Sequence, residues 1–155
     1  FTFLTRDAIA ELERVTADAP ERREAQRVLA REVTALVHGD AAMKEAEAIG
    51  AAMFGGDVVA LAAAQLDQVC RAIPTAEIGA EEAGGLGVVD LLVRVGAAES
   101  KGEARKLLAG GGVTINGQRV TGITDTLRTV GPLHDRFWIV RKGRRSYYAG
   151  RLSGR

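Results

Sequence analysis

The sequence predicts an α+β protein in which a small all-helical N-terminal part precedes a domain of helices and short antiparallel β-hairpins. Three observations support this prediction. Apolar residues recur at helical spacing through most of the first hundred residues, an Asn-Gly pair separates two β-type runs after residue 110, and the charge changes sign near residue 100. At 155 residues, 46% of them hydrophobic, the chain is long enough to bury the cores of one or two small domains.

Four helical segments are predicted in the N-terminal part. Thr5 is placed to cap the first, and the second runs from about residue 21 to His38 with Gly39 as its stop. The third begins near Asp40 and ends at the glycine pair 55–56, and a less regular fourth follows. The apolar positions are Ile9, Leu12 and Val15 in the first helix, Leu29, Val33, Leu36 and Val37 in the second, Ala42, Ala46, Ile49 and Met53 in the third, and Val58, Leu61, Leu66 and Val69 in the fourth.

A segment rich in glycine and glutamate interrupts the helical pattern after Pro74. We interpret residues 76–87 as a linker, which divides a helical domain over residues 1–75 from a second domain over residues 88–155. Helical spacing returns in Val88, Leu91, Leu92 and Val95 and stops at a glycine.

The second domain is predicted to contain a capped basic helix and two hairpins. The sequence from Ser100 to Glu103 has the form of a capping box, so a helix begins at Lys101. Its buried stripe is Ala104, Leu107 and Leu108, and Lys101 and Arg105 lie one turn apart on another face. Asn116-Gly117 predicts a type I′ hairpin between residues 113–115 and 118–120. A second hairpin pairs residues 137–140 with 146–148 around a turn that contains Arg141, Lys142, Arg144 and Arg145.

The charge distribution indicates a polyanionic partner for this second domain. Residues 1–100 contain 9 Lys and Arg against 17 Asp and Glu, whereas residues 101–155 contain 12 against 3. A basic segment joined to an acidic one is typical of proteins that bind nucleic acid, although a solvated basic face without a partner has the same composition. The same two alternatives apply to the turn over residues 141–145, for which we favour phosphate contact.

The order of these elements resembles the S-four-type RNA-binding domain, which is named after a protein of the small ribosomal subunit. The flanking segments 1–4, 25–39 and 140–147 resemble the C-terminal region of bacterial tyrosyl-tRNA synthetases. The residues that match the domain pattern are Leu91 and Leu92, Gly96, Ser100 and Lys101, Ala104 and Arg105, Leu107 and Leu108, Gly112 and Val113, Ile115 to Gly117, and Val120.

This resemblance implies that the helical part lies toward the anticodon of tRNA-Tyr. It also implies that the basic tail binds between the anticodon stem and the long variable arm, through phosphate and 2′-hydroxyl contacts. It also implies that tyrosine activation, with ATP and Mg, belongs to a catalytic domain absent from this sequence. We therefore expect no catalytic residue, metal or cofactor in the chain itself. The RNA-binding residues that we expect are Ser100, Lys101, Arg105, Lys106, Asn116, Arg119, Arg141, Lys142, Arg144 and Arg145.

The resemblance further implies a cytoplasmic, monomeric fragment, because the family dimerises through its catalytic domain. No apolar leader opens the sequence and no uncharged stretch is long enough to cross a bilayer, so we expect neither secretion nor a membrane role. The start at Phe1, without methionine, suggests an excised fragment.

Other interpretations remain open. A free-standing S-four-type binder of ribosomal or other structured RNA fits the same basic module, and a protein-interaction module fits the acidic helices. Trp138, Tyr147 and Tyr148 either pack under the sheet or stack on RNA bases. We expect Cys70 to be buried and His38 to have a structural role at its helix end.

Overall fold

A computed structural model of the chain describes residues 4–55 and 57–153, which divide into two compact units between Ala48 and Ile49. The N-terminal residues that contributed to the family resemblance, 1–3, and the second glycine of the pair at 55–56 lie outside the described residues.

The first unit contains helix α1 (Arg6–Asp18), a 3-10 turn (Pro20–Arg22), helix α2 (Glu24–His38) and the beginning of helix α3 (Asp40–Gly55). The predicted cap is confirmed, since the Thr5 hydroxyl accepts a hydrogen bond from the Ala8 amide at 3.3 Å. The predicted end of α2 at Gly39 is also confirmed. The apolar stripe of α2 is present at the predicted spacing but is not covered, and Leu36 and Val37 are 59% and 65% exposed. Neither α1 nor α2 contains a buried residue.

The second unit contains a five-stranded mixed sheet with helices on both of its faces. The strand order is β1-β5-β4-β2-β3, in which β1 and β5 are parallel and the other neighbours are antiparallel. In chain order, a 3-10 turn (Val58–Ala60) precedes α4 (Ala63–Ala72), β1 (Thr75–Ile78), α5 (Ala80–Ala83), α6 (Val88–Arg94), α7 (Lys101–Ala109), β2 (Val113–Ile115), β3 (Gln118–Arg119), α8 (Leu127–Val130), β4 (Phe137–Lys142) and β5 (Ser146–Leu152).

Two hydrophobic cores lie on opposite faces of this sheet. Side chains alternate along β4, so Phe137 and Ile139 pack with α4 on one face, while Trp138 and Val140 pack with α6 and α7 on the other. We call these the α4 face and the α7 face. All four side chains are at most 2% exposed.

The expectation of a linker over residues 76–87 is wrong. The segment contains most of β1 and all of α5, and Ile78 is fully buried in the α7-face core. The cause is a non-local pairing, since Thr75 lies opposite Ala149 on β5. The expected end of the helical domain at residue 75 is therefore also wrong, because residues 49–74 belong to the unit that contains the sheet.

The predicted hairpin at Asn116-Gly117 is confirmed, and both residues have positive φ angles, 52° and 78°. Asn116 is 7% exposed, and its side chain links three segments. Its Oδ1 accepts from the Ile139 amide at 2.8 Å, and its Nδ2 donates to the Gly131 carbonyl at 2.8 Å. The side chain therefore holds the β2–β3 turn against β4 and the segment that follows α8.

Gly150 on β5 leaves no space for a side chain. A Cβ at this position would lie 2.7 Å from Cδ1 of Ile78 and 2.9 Å from Cδ1 of Leu91. We expect Gly150→Ala to lower the free energy of unfolding by about 1 to 3 kcal/mol, because the α7-face core has to be displaced. Urea denaturation followed by circular dichroism measures this change.

The matched control is Gly50→Ala, since Gly50 lies within α3 and nothing is within 4 Å of its added Cβ. This change is expected to stabilise by about 0.5 to 1 kcal/mol, because glycine is the poorer helix former. Equal free energies of unfolding for Gly150→Ala and the unaltered chain would contradict the close packing described here.

Candidate nucleic-acid interface

Helix α7 begins as the sequence predicts, with one difference in its cap. The Ser100 hydroxyl accepts from the Glu103 amide at 3.2 Å, but the Glu103 carboxylate accepts from the amide of Glu99 rather than that of Ser100, at 2.8 Å. Ala104 and Leu108 are fully buried and Leu107 is partly buried, so the predicted stripe is confirmed. Arg105 and Lys106 are exposed on the outer side of the helix.

Two of the lysines that we expected at the interface are engaged within the chain. The Lys101 ammonium lies 2.5 Å from Oδ1 of Asp90 on α6. The Lys142 ammonium lies 3.1 Å from Oε1 of Glu103 and donates to the Ala97 carbonyl at 2.9 Å. Lys142 thus joins the end of β4 to the start of α7.

Glu103 receives two stabilising contacts as an anion. Its pKa is lowered, first by the hydrogen bond from the Glu99 amide and then by the hydrogen bond from Lys142. The ionised form is therefore the one that connects α7 to β4.

The turn between β4 and β5 lies next to the loop that follows α7. The Gly143 amide donates to the Gly112 carbonyl at 2.9 Å, which is the backbone contact between these two segments. Arg144 and Arg145 are exposed in this turn. The cations of α7 and of the β4–β5 turn therefore lie on two neighbouring segments. The Gly143–Gly112 hydrogen bond and the Lys142–Glu103 ion pair connect these two segments.

Arg119 and Arg141 occupy a different position. Strand register places Arg119 opposite Thr114, and Thr114 opposite Arg141, so the three lie in one row that points toward the α4 face. Arg119 is on the edge strand, and its guanidinium also reaches the loop after α7, because a Cβ added to Gly111 would be 3.1 Å from its Nε. Arg141 lies further inside the row, beside Ile139 and Tyr147 in a small cleft.

Two of the expected contact residues have structural roles. Asn116 is buried and both ends of its side-chain amide are bonded within the chain, so the expectation that it contacts RNA is not supported by its position. Ser100 is exposed, but its hydroxyl caps α7. The pattern that singled out both residues reflects how the helix and the turn are built.

Six of the expected residues remain available to a partner: Arg105, Lys106, Arg119, Arg141, Arg144 and Arg145. Among the described residues, none of them forms an ion pair within 4 Å, and five are exposed while Arg141 is partly buried. Arg128 on α8 is also exposed and has no ion-pair partner in the part of the chain that the structure describes, although no sequence pattern marks this short helix.

The aromatic residues are used mainly in packing. Trp138 is 2% exposed and its indole donates to the Leu127 carbonyl at 3.3 Å, so it packs under the sheet. The Tyr147 hydroxyl donates to the Met53 carbonyl on the α4 face, and Tyr148 packs against the α7-face core. Cys70 is buried as expected, and burial raises the pKa of its thiol.

None of the helices in the described ranges combines the length and apolar character needed to span a bilayer.

Taken together, the fold and its surface define a small α+β module with exposed cations on a capped helix and on an adjoining β-turn. The family model described as "Tyrosine–tRNA ligase SYY-like C-terminal domain" matches residues 65–149, which is more than half of the chain. The chain belongs to this family.

Curated relatives extend the similarity over nearly the whole sequence. Tyrosine–tRNA ligase of Geobacillus stearothermophilus is 38% identical over 148 residues, which are 96% of this chain and 35% of the relative. The enzymes of Ligilactobacillus salivarius and Roseiflexus castenholzii are each 40% identical over 98% of this chain and 36% of their own length. The chain thus spans about a third of these relatives.

A solved structure is also similar, a solution structure of a tyrosyl-tRNA synthetase C-terminal domain. It is 29% identical, with a TM-score of 0.47, and the match covers 60% of this chain and 91% of that one.

The lowered pKa of Glu103 predicts a pH-dependent contribution to stability. Because the folded-state pKa lies below the unfolded one, the contribution is present above the ordinary glutamate pKa of about 4.3 and is lost as pH falls through the lower folded-state value. We expect Glu103→Gln to be less stable than the unaltered chain at pH 7, and the two to converge at acid pH. Urea denaturation between pH 3 and pH 7 tests this.

Glu81→Gln on α5 removes the same charge from an exposed position and is the matched control. A stability difference for Glu103→Gln that stayed constant down to pH 3 would rule out the ionised carboxylate as its source.

Proposed function

We propose that this chain is the tRNA-binding C-terminal part of a tyrosyl-tRNA synthetase and that it recognises tRNA-Tyr through its anticodon stem and long variable arm. The proposal is supported by membership of the SYY-like C-terminal domain family together with one observation from the structure. That observation is the group of exposed cations where α7 adjoins the β4–β5 turn, which have no ion-pair partner among the described residues.

Four residues form this group, and we call them the α7–turn cluster: Arg105, Lys106, Arg144 and Arg145. All four are exposed. The Gly143–Gly112 hydrogen bond and the Lys142–Glu103 pair connect the two segments that carry these charges. The contacts hold the two segments in a fixed arrangement. Preorganised guanidinium groups suit phosphate, because their planar donors form paired, charge-assisted hydrogen bonds with its oxygens.

The proposed role is to bind and orient the RNA. The major groove of A-form RNA is too deep and narrow for side chains to read, so an exposed cationic surface contacts phosphates and 2′-hydroxyls and responds to the shape of the RNA. Lys101 and Lys142 contribute less, since each would have to leave a carboxylate to reach phosphate. Their proposed role is to hold α7 and β4 in place.

We assign the chemistry of the full-length protein to its remaining part. From the family, we propose that the full-length protein activates tyrosine with ATP and Mg, forms a dimer and is cytoplasmic. The chain itself spans only about a third of its curated relatives. A purified chain that catalysed tyrosine-dependent exchange of pyrophosphate into ATP would contradict this division, and a stable dimer in sedimentation would contradict a monomeric chain.

The proposed specificity is tested by comparing two RNA ligands of similar size. We expect the chain to bind bacterial tRNA-Tyr more tightly than a tRNA with a short variable arm, in filter-binding or anisotropy measurements at matched salt. Equal affinity would favour a general binder of structured RNA, and absence of binding would favour a protein-interaction module. Either result would overturn the assignment to tRNA-Tyr.

The proposed surface is tested by neutralising the α7–turn cluster. Replacing Arg105, Arg144 or Arg145 by Ala should weaken tRNA binding and reduce the slope of log affinity against log salt by roughly 0.7 to 0.9 for each phosphate that the variant no longer neutralises. Preference among RNA sequences should change little, because phosphate contacts carry no base information. Salt titrations of each variant measure both quantities.

Arg14→Ala is the control, since Arg14 on α1 is paired with Glu11 at 2.6 Å and with Asp18 at 3.4 Å. Unchanged affinity and slope in folded cluster variants would place the RNA surface elsewhere, even if tRNA binding itself were found.

A further inference from the structure

One cation at the start of α7 is held by a carboxylate of α6. Lys101 and Arg105 lie one turn apart on α7, so both belong to one side of that helix. Arg105 has no ion-pair partner among the described residues, whereas the Lys101 ammonium lies 2.5 Å from Oδ1 of Asp90. Asp90 therefore withdraws one positive charge from the row that adjoins the α7–turn cluster.

The backbones of both partners are fixed by packing, but their side chains are accessible. Asp90 precedes Leu91 and Leu92, which are fully buried in the α7-face core together with Ala104 of α7. The Lys101 and Asp90 side chains are 62% and 41% exposed. Exposed ion pairs are weak, so a phosphate group that reaches this position can compete with the carboxylate for the ammonium.

The second ion pair of α7 has a different construction. Lys142 donates to the Ala97 carbonyl as well as to Glu103, and Glu103 also accepts from the Glu99 amide. Within residues 57–153, neither Lys101 nor the Asp90 carboxylate makes a second hydrogen bond or ion pair of this kind. The Lys142–Glu103 pair is therefore part of a bonded connection between elements, whereas the Lys101–Asp90 pair stands alone and can open without breaking other contacts.

We propose that Asp90 is a specificity-determining residue, which keeps Lys101 from contacting the phosphates of RNA that does not fit the interface. The proposal rests on the proposed function and concerns the selectivity of the same surface. The carboxylate acts in two ways. It occupies the ammonium in the free chain, and it repels any phosphate that approaches the ammonium, since the two anions would lie side by side.

The effect differs between a fitted and an unfitted RNA. An RNA that is held in one register uses only the cations that its phosphates reach in that register. An RNA without a fitted register shifts along the surface until its phosphates meet each exposed cation, because phosphate contacts are independent of sequence. An additional accessible lysine therefore strengthens unfitted binding more than fitted binding, and a carboxylate that occupies the lysine preserves the difference.

The experiment compares Asp90→Asn with the unaltered whole chain in salt titrations against tRNA-Tyr and against a tRNA with a short variable arm. We expect the slope of log affinity against log salt for the short-arm tRNA to steepen by roughly 0.7 to 0.9, the value for one new phosphate contact. The slope for tRNA-Tyr should change less, so the ratio of the two affinities should fall several-fold. Asp90→Glu, which retains a carboxylate, should keep the original slopes.

A double variant tests whether Lys101 carries the effect. Asp90→Asn combined with Lys101→Gln should bind the short-arm tRNA with the slope of Lys101→Gln alone, because no ammonium is left to be released. Glu81→Gln is the matched control, since it removes one exposed carboxylate of the same unit at α5 and should leave both slopes unchanged. Urea denaturation checks that each variant is folded, and Asp90→Ser is a second neutral variant.

An unchanged short-arm slope in folded Asp90→Asn would overturn the proposal, and so would an equal gain for both tRNAs or an equal gain in Glu81→Gln. Loss of the fold in both Asp90→Asn and Asp90→Ser would also overturn it, because the pair would then be required for folding. In each of these cases a preference of the unaltered chain for tRNA-Tyr would leave the proposed function standing. Absence of that preference in the unaltered chain would overturn both.

Discussion

The alternation of side chains along β4 is the constraint on which the second unit depends. This one strand supplies Phe137 and Ile139 to the α4-face core and Trp138 and Val140 to the α7-face core. A shift of its register by one residue would exchange both sets and expose each core to the wrong helices. The same alternation continues into the polar end of the strand. It directs Arg141 toward the α4 face and Lys142 toward α7, where Lys142 meets Glu103.

The electrostatics of the chain depend on which cations are already neutralised. Arg151 pairs with Glu77 and Asp67, and Arg94 pairs with Glu82, so these arginines connect elements of the second unit to one another. Exposed pairs of this kind contribute little to stability, but each one removes a charge from the field that a distant anion experiences. The α7–turn cluster has no such partners among the described residues. A net charge of +1 therefore understates how much positive charge is available locally.

Local chemistry explains why much of the fold was predictable from sequence. The caps at Thr5 and Ser100, the turn at Asn116-Gly117 and the buried stripe of α7 each depend on residues within a few positions of one another. The pairing of β1 with β5 does not, since Thr75 and Ala149 are far apart in sequence. A four-residue strand between a proline and a glycine has no distinctive periodicity of its own, so residues 76–87 resembled a linker.

The same distinction between local and non-local contacts applies to the candidate interface. The sequence identified the cations, but not that Lys101 meets Asp90 or that Lys142 meets Glu103, because those contacts require the packed elements. Asn116 belongs to the domain pattern, and its positive φ and buried, hydrogen-bonded side chain give it a structural role in the turn.

The position of β5 in the sheet has a consequence for how the chain is made. It is the last strand in sequence, yet it lies between β1 and β4 and completes hydrogen bonding to both. During synthesis, β1 therefore leaves the ribosome long before the strand against which it pairs, and its backbone stays without that partner until the final strand has emerged. Closure of the sheet consequently waits for β5, and a chain that lacked this strand would have β1 unpaired and both cores open along one side.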